Sequence, residues 1–290
     1  MYEKIKSRIK LLSYPLMSVV ASSLLFSIMK TISRDKIPTE QFMLIRLLIS
    51  SLFFIPMFLK VKSIKTKINK LHFLRAIVLF SSMIMTYEGY RNIPFVTSSA
   101  LGMTEPIFIF IFSWAFFRNK ISYQKVLGIL FGYIGVLVTL YPFDLSINTF
   151  YSVILLLANV LSAISMILMK KSHNKDAPEV VLFYSYFYLT MFSIIWNLHG
   201  LFFRDDFILM DFVYLYENIW RVVSVCSLAA VNTYAIIWSI KKLDPISYSS
   251  VQYLKVVFSV IIGWVFLGES LVLNQILGSL IIAISASIMY

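Results

Sequence analysis

Ten long apolar stretches run from Leu12 to Tyr290, and they fall into two sets of five with the same local grammar. A spanning helix needs roughly 20 mostly apolar residues to cross about 30 Å of hydrocarbon. On that basis spans are expected at 12–29, 39–59, 71–90, 95–117, 124–141, 149–169, 179–203, 217–240, 246–267 and 273–290. Five is odd, so the second set enters the membrane from the side opposite to the first. Inverted repeats mark many secondary transporters, with a binding site near the bilayer midplane where the halves meet. The expected fold class is an all-α membrane protein of ten transmembrane helices, built as two inverted five-helix repeats at 1–145 and 146–290.

Composition agrees with that reading. The chain is 59% hydrophobic and 14% charged, against about 25% charged residues in a soluble domain. Almost nothing remains between the spans, so no soluble domain is expected. A net charge of +12 would suggest nucleic acid in a soluble protein, but its distribution points elsewhere. With the N-terminus placed in the cytoplasm, 17 Lys and Arg residues fall in inside segments and five in outside ones. That asymmetry is the positive-inside signal and predicts that both termini are cytoplasmic. The partner is then a lipid bilayer, with no role for nucleic acid. A basic stretch ahead of 12–29 resembles a secretory signal, but the apolar part is long and nine spans follow. It is read as an uncleaved first helix.

The two halves also share sequence. Residues 93–140 shifted by 150 positions lie on 243–290 without a gap, and nine pairs are identical. Among them are Ser99 and Ser249, Trp114 and Trp264, and Gly128 and Gly278. Paired Trp and Gly at fixed spacing are the mark of an internal duplication.

Charges inside a span cost several kcal/mol and usually face the bundle interior with a partner. Arg46, Glu88, Glu105 and Lys255 stand out. Glu105 lies ten residues past Phe95 and Lys255 nine past Ile246. At about 1.5 Å per residue both sit near the midplane. They are also repeat equivalents, 150 residues apart. One expectation is that Glu105 and Lys255 face each other in a central cavity, paired directly or through substrate. The other is a structural salt bridge that never touches ligand. Pro106 removes a backbone donor beside Glu105 and can open carbonyls to a cavity.

Arg46 and Glu88 have depths that permit a second pair, an outer gate; solvation of Glu88 and snorkelling of Arg46 are the alternatives. Arg75 and Arg221 lie near span ends and are expected to snorkel. Tyr87, Tyr90, Tyr253, Trp114, Asn159, Asn232 and Gln252 could add aromatic or amide contacts, and aromatic faces suit a cationic group. Packing is the alternative for each of them. Trp196, Trp220 and Trp238 are expected at the membrane interface.

The fifth span carries Gly128, Gly132 and Gly135, and the tenth Ser279, Ala283 and Ser287. Such small faces let helices approach closely, within one chain or across a homodimer seam. His72, His173 and His199 lie near span ends without metal-ligand spacing, and no nucleophile constellation or phosphate loop occurs. Neither catalysis nor a metal or other cofactor is expected. Cys226 is the only cysteine, so no intrachain disulfide can form.

The closing grammar of each half resembles the EamA branch of the drug/metabolite transporter superfamily. The second half has Asp244-Pro245, Gly268-Glu269, Asn274 and Gly278; the first has Ile93-Pro94, Asn119, Gln124 and Gly128. Asn119 stands where that family usually has Glu. Residues 92–140 and 242–267, and Val251-Gln252-Tyr253-Leu254-Lys255 in particular, are similar to S-adenosylmethionine uptake transporters of intracellular bacteria. An acidic residue would be expected there in place of Lys255. The resemblance implies a bacterial inner-membrane carrier that works by alternating access. Its cavity would lie between the first to fourth and sixth to ninth helices. The cargo would be a small polar or zwitterionic metabolite, S-adenosylmethionine being the specific candidate. An amino-acid or drug exporter of the same fold and a non-transporting scaffold are the rival expectations.

Overall fold

The computed structural model describes residues 2–32, 35–61, 63–117, 122–141, 149–203, 207–268, 270 and 272–288. At 2–11 and at a few helix-end positions, including Ser287, only the backbone is described; Asn119 and Glu269 lie outside the described residues. Fourteen helices and no strand are present among them: α1 (Tyr2–Lys30), α2 (Thr39–Leu52), α3 (Ile55–Phe58), α4 (Asn69–Asn92), α5 (Phe95–Gly102), α6 (Glu105–Phe117), α7 (Tyr123–Leu140), α8 (Thr149–His173), α9 (Pro178–Phe203), α10 (Phe212–Glu217), α11 (Ile219–Lys242), α12 (Pro245–Gln252), α13 (Leu254–Leu267) and α14 (Leu273–Ile288).

Among the described residues six segments are long and apolar enough to cross a membrane: Leu12–Lys30, Phe95–Phe116, Thr149–His173, Pro178–Phe203, Ile219–Lys242 and Pro245–Phe266. The chain is therefore a multi-pass membrane protein. Tyr123–Thr139 and Leu273–Ser285 are shorter apolar helices. The expected span at 71–90 is more polar, because α4 carries Arg75, Glu88 and Arg91, and the one at 39–59 is interrupted after the 14 residues of α2. With 24 residues, α4 is about 36 Å long and matches the hydrocarbon thickness.

Several expected single helices are interrupted. The second divides at Phe53 and Phe54, just before Pro56 in the first turn of α3. The fourth divides between α5 and α6, and the ninth between α12 and α13. The bounds of α5 and α12, and the starts of α7 and α14, match at an interval of 150 residues. Proline is tolerated in the first turn of a helix, where its missing N–H has no partner to lose. Pro106 occupies that place in α6.

The principal helix pairs are α7 with α14, α4 with α8 and α1 with α11; α2 packs less extensively against α9. The interrupted helices meet as α6 with α12 and α5 with α13. Lipid offers no hydrophobic drive between helices, so close approach depends on small residues and interhelical hydrogen bonds. Both occur. A Cβ added at Gly278 would run into Thr139 Oγ1 and the Gly135 carbonyl, and one at Gly135 would meet Ile282 and the Gly278 carbonyl. The glycine faces of α7 and α14 therefore close on each other within one chain. Their outer faces expose Leu130, Phe131, Ile134, Leu277, Leu280 and Ile284. Across the centre, Ser82 Oγ donates to Ala158 O at 2.9 Å and Ser50 Oγ to Cys226 O at 2.7 Å.

Candidate solute cavity between the interrupted helices

A cavity of about 200 Å³ lies inside the bundle, lined from α1, α2, α4, α5, α6, α8, α9, α11, α12 and α13. Among the described residues, neither α7 nor α14 contributes to the lining. The lining follows helical periodicity: Arg75, Leu79, Ser82, Thr86 and Tyr90 lie along one face of α4, and Leu155, Asn159, Ser162, Met166 and Met169 along one face of α8.

Both interruptions in the paired half-helices open beside this cavity. Between α5 and α6 the backbone tightens, with Met103 N donating to Ala100 O at 3.0 Å and Thr104 N to Leu101 O at 3.1 Å. Asn159 Nδ2 bridges the gap by donating to Leu101 O at 3.0 Å and to Thr104 Oγ1 at 2.8 Å. A carbonyl loosened by the interruption thus keeps a donor, which it needs in a water-poor environment. Glu105 opens α6, and its Oε1 accepts from Ser162 Oγ at 2.5 Å.

The α12–α13 interruption has no proline. Tyr253 fills it, fully buried with its ring against Gly132. Its hydroxyl lies 3.4 Å from Ile129 O. Two residues on, Lys255 Nζ lies 4.7 Å from the Phe26 ring centroid and 5.6 Å from that of Tyr90. Phe26 and Tyr90 are themselves stacked at 4.1 Å. The face of an aromatic ring carries negative potential, so two rings hold the ammonium where it has no carboxylate partner.

Glu105 and Lys255 both line the cavity, yet they form no ion pair. Each is held within its own group, the carboxylate by a hydroxyl of α8 and the ammonium by rings of α1 and α4. The expected direct pair is corrected accordingly. An Arg46–Glu88 gate is likewise not formed. Arg46 lies over the Tyr87 ring at 5.5 Å, and Nε and Nη1 have no hydrogen-bond partner. Glu88 is outside the cavity and accepts from Thr39 Oγ1, which itself accepts from Arg91 Nη1 at 3.1 Å.

Tyr87, Asn159 and Asn232 line the cavity; Asn232 Oδ1 accepts from Ser18 Oγ at 2.8 Å, and that hydroxyl is 3.0 Å from Tyr248 Oη. Tyr253 and Trp114 do not line it. Tyr253 is sealed among α5, α7, α13 and α14, and Trp114 is 63% exposed on the outer surface. Arg75 was expected to snorkel, but it is only 3% exposed and lines the cavity, where Nη1 donates to Ser185 Oγ at 2.9 Å. Arg221 does reach the surface and bonds Asn218. The hydroxyl lining from Ser18, Ser162, Tyr186, Thr233 and Tyr248 had no separate sequence signal beyond its place on the periodic faces.

Polar contacts tie the bundle at both ends. At one, His72 Nε2 is 2.7 Å from Asp176 Oδ2, which also accepts from Thr66 Oγ1 at 2.6 Å. Nearby, Lys170 Nζ donates to the Ile240 and Leu243 carbonyls at 2.9 Å each, and Lys125 pairs with Asp244 at 3.1 Å. Burial alone would raise the Asp244 carboxyl, but Ser247 and Lys125 hold it below the usual carboxylate range. At the opposite end, Lys30 Nζ donates to Ile93 O at 2.7 Å and Lys36 pairs with Asp211 at 3.0 Å. No group of three His, Cys, Asp or Glu residues is placed to hold a metal among the described residues.

The sequence pattern of the EamA-like transporter family matches residues 10–141 and again 149–290. The chain belongs to the EamA-like transporter family. Among curated proteins, an S-adenosylmethionine uptake transporter of Rickettsia bellii is 28% identical over 134 residues, covering 46% of this chain and 45% of that protein. One from Rickettsia felis is 30% identical over 125 residues, covering 42% of each, and one from Rickettsia prowazekii 25% identical over 196 residues, covering 67% and 66%. The similarity thus spans less than half the length of the first two. A solved structure described only as the crystal structure of a protein has a TM-score of 0.70 at 14% identity, covering 96% of each chain. At that identity it establishes the fold this EamA-like transporter shares, and nothing of its cargo.

Proposed function

We propose that this EamA-like protein is a secondary transporter that moves a small polar or zwitterionic metabolite across a bacterial inner membrane by alternating access. The observation that carries the reading is the cavity, which both halves build and which opens beside two interruptions at equivalent positions. Discontinuous helices at a repeat interface are how many carriers expose backbone polar groups to a solute near the midplane. The ten expected spans then form two inverted halves, 1–145 and 146–290, with both termini cytoplasmic. Helix pairing supports this. Exchanging the halves turns the α1–α11 contact into the α8–α4 contact, while the α2–α9 and α7–α14 contacts map onto themselves.

Transport would proceed by the solute shifting the balance between two packings of the halves, each opening one end of the bundle. The His72–Asp176 and Lys36–Asp211 ends are the natural places for such openings, because each joins segments of both halves. The three rickettsial relatives make S-adenosylmethionine the specific candidate cargo. An exporter of amino acids or drugs shares every geometric feature above. Any homodimer through the fifth and tenth spans would use the exposed aliphatic faces of α7 and α14, since their glycine faces meet within the chain.

Counterflow in proteoliposomes tests the proposal. Proteoliposomes holding the purified protein and preloaded with unlabelled solute are expected to accumulate the labelled form of at least one member of a panel. That panel holds S-adenosylmethionine, amino acids and small organic acids. A folded, monodisperse protein that moves none of them would favour a non-transporting scaffold.

A further inference from the structure

The charges around the cavity do not balance. Arg46, Arg75 and Lys255 line it against Glu105 alone, a formal excess of two positive charges among the described lining residues. Two of these cations are almost fully buried, Arg46 at 8% and Arg75 at 3% exposure. Neither guanidinium is satisfied: Arg46 Nε and Nη1 and Arg75 Nε have no hydrogen-bond partner. A buried charged donor without an acceptor is costly, and one within a membrane span more so. Guanidinium groups match the planar, bidentate geometry of carboxylate and phosphate oxygens, and that is the ligand chemistry these orphaned donors lack.

Their placement adds direction. Arg46 stands beside Tyr87, and Arg75 lies 12 residues earlier on α4, about 18 Å away along the helix. Arg75 is near the His72–Asp176 end, since His72 precedes it by one turn. The cations therefore follow the length of the cavity and could pass an anion between its two ends.

We infer that the cargo is a small oxyanion of net negative charge, bearing a carboxylate or a phosphate that docks on Arg46. The inference rests on the cavity being a transport site. It also bears on the named candidate. S-adenosylmethionine carries a sulfonium, an ammonium and one carboxylate, a net charge of +1. A cavity with surplus positive charge repels it, whereas Glu105 offers a single site for the cationic end of a zwitterion.

Counterflow with labelled succinate, glycerol 3-phosphate and S-adenosylmethionine, each against the same unlabelled solute, separates the possibilities. At least one anion is expected to accumulate at least tenfold above protein-free liposomes. S-adenosylmethionine is expected to move at least tenfold more slowly. Succinate alone would identify a carboxylate site, and glycerol 3-phosphate alone a phosphate site. Arg46→Gln is expected to cut the anion uptake at least tenfold. Should that variant misfold, the wild-type protein still reports, because the transported anion is expected to raise its melting temperature and S-adenosylmethionine is not. Uptake of S-adenosylmethionine with neither anion moved would overturn the inference and leave the transporter intact. Movement of no solute at all would overturn both.

Discussion

The two interrupted helices occupy equivalent places and yet are held open by different means. Between α5 and α6 a hydrogen-bonding amide bridges the gap beside Pro106, and the adjoining charge is a carboxylate bonded to Ser162. Between α12 and α13 no proline or amide serves. A buried tyrosine wedged on Gly132 holds the chain, and the adjoining charge is an ammonium over two rings. The difference teaches that the interruption belongs to the packing of the halves rather than to one residue type. Each charge is met by partners from the opposite half, Ser162 for Glu105 and the Phe26 and Tyr90 rings for Lys255, which leaves the space between the two charges for a solute.

Substitutions can break that comparison, and the largest effect is expected at Lys255. Lys255→Glu would set a carboxylate against the negative faces of Phe26 and Tyr90. Uptake in proteoliposomes should fall at least about tenfold, and the melting temperature by roughly 5 °C or more, since reversal leaves a half-buried charge uncompensated inside the bundle. Unchanged uptake would remove Lys255 from the cavity's chemistry. Next comes the wedge. A Cβ at Gly132 already meets the Tyr253 ring at 2.9 to 3.1 Å, so Gly132→Leu should cost about 1–3 kcal/mol through overpacking, read as a lower thermal midpoint. The first half fills the equivalent place with Met103, buried in the same cluster as Tyr253, Val136 and Ile282.

Asn159→Ala deletes both bridging hydrogen bonds of the first interruption. It should cost about 1–3 kcal/mol, roughly 0.5–1.5 for each bond lost, while the Leu101 carbonyl keeps the Thr104 N–H and hydroxyl as donors. A thermal midpoint equal to wild type would show that the amide does not hold the gap. The smallest effect is expected for Pro106→Ala. The second interruption persists with Val256 at the equivalent position, so packing should keep the first open too. Uptake should change by less than about threefold, under 1 kcal/mol. A larger loss would make the proline itself the cause.

The all-helical membrane character was legible in the sequence, because apolar run length follows from the demands of a bilayer, and the matched bounds of α5 and α12 follow the 150-residue interval of the repeated residues. The cavity was legible only in part, because periodicity had to be applied residue by residue. Tyr253 is two positions from Lys255, and Trp114 nine from Glu105. At about 100° per residue both lie far around the helix from the charge they were grouped with. Glu88 is one step from Tyr87 and so leaves the lining face. Arg75 shares that face with Leu79, Ser82 and Thr86, although its distance from the span end suggested snorkelling. What no periodicity encodes is the choice of local partners. Ser162 for Glu105, and two rings for Lys255, depend on how helices distant in sequence meet.

In the proposed transport cycle the cavity between the interrupted helices is the path of the solute. Ser162 lines it at the first interruption, and Cys226 can be replaced by alanine to leave one reactive position. Ser162→Cys in that background can then be labelled with a membrane-impermeant thiol reagent in right-side-out and inside-out vesicles. Labelling from both sides, slowed by the transported solute, is the predicted result. Labelling from neither side, or at a rate indifferent to every solute that the protein moves, would contradict it.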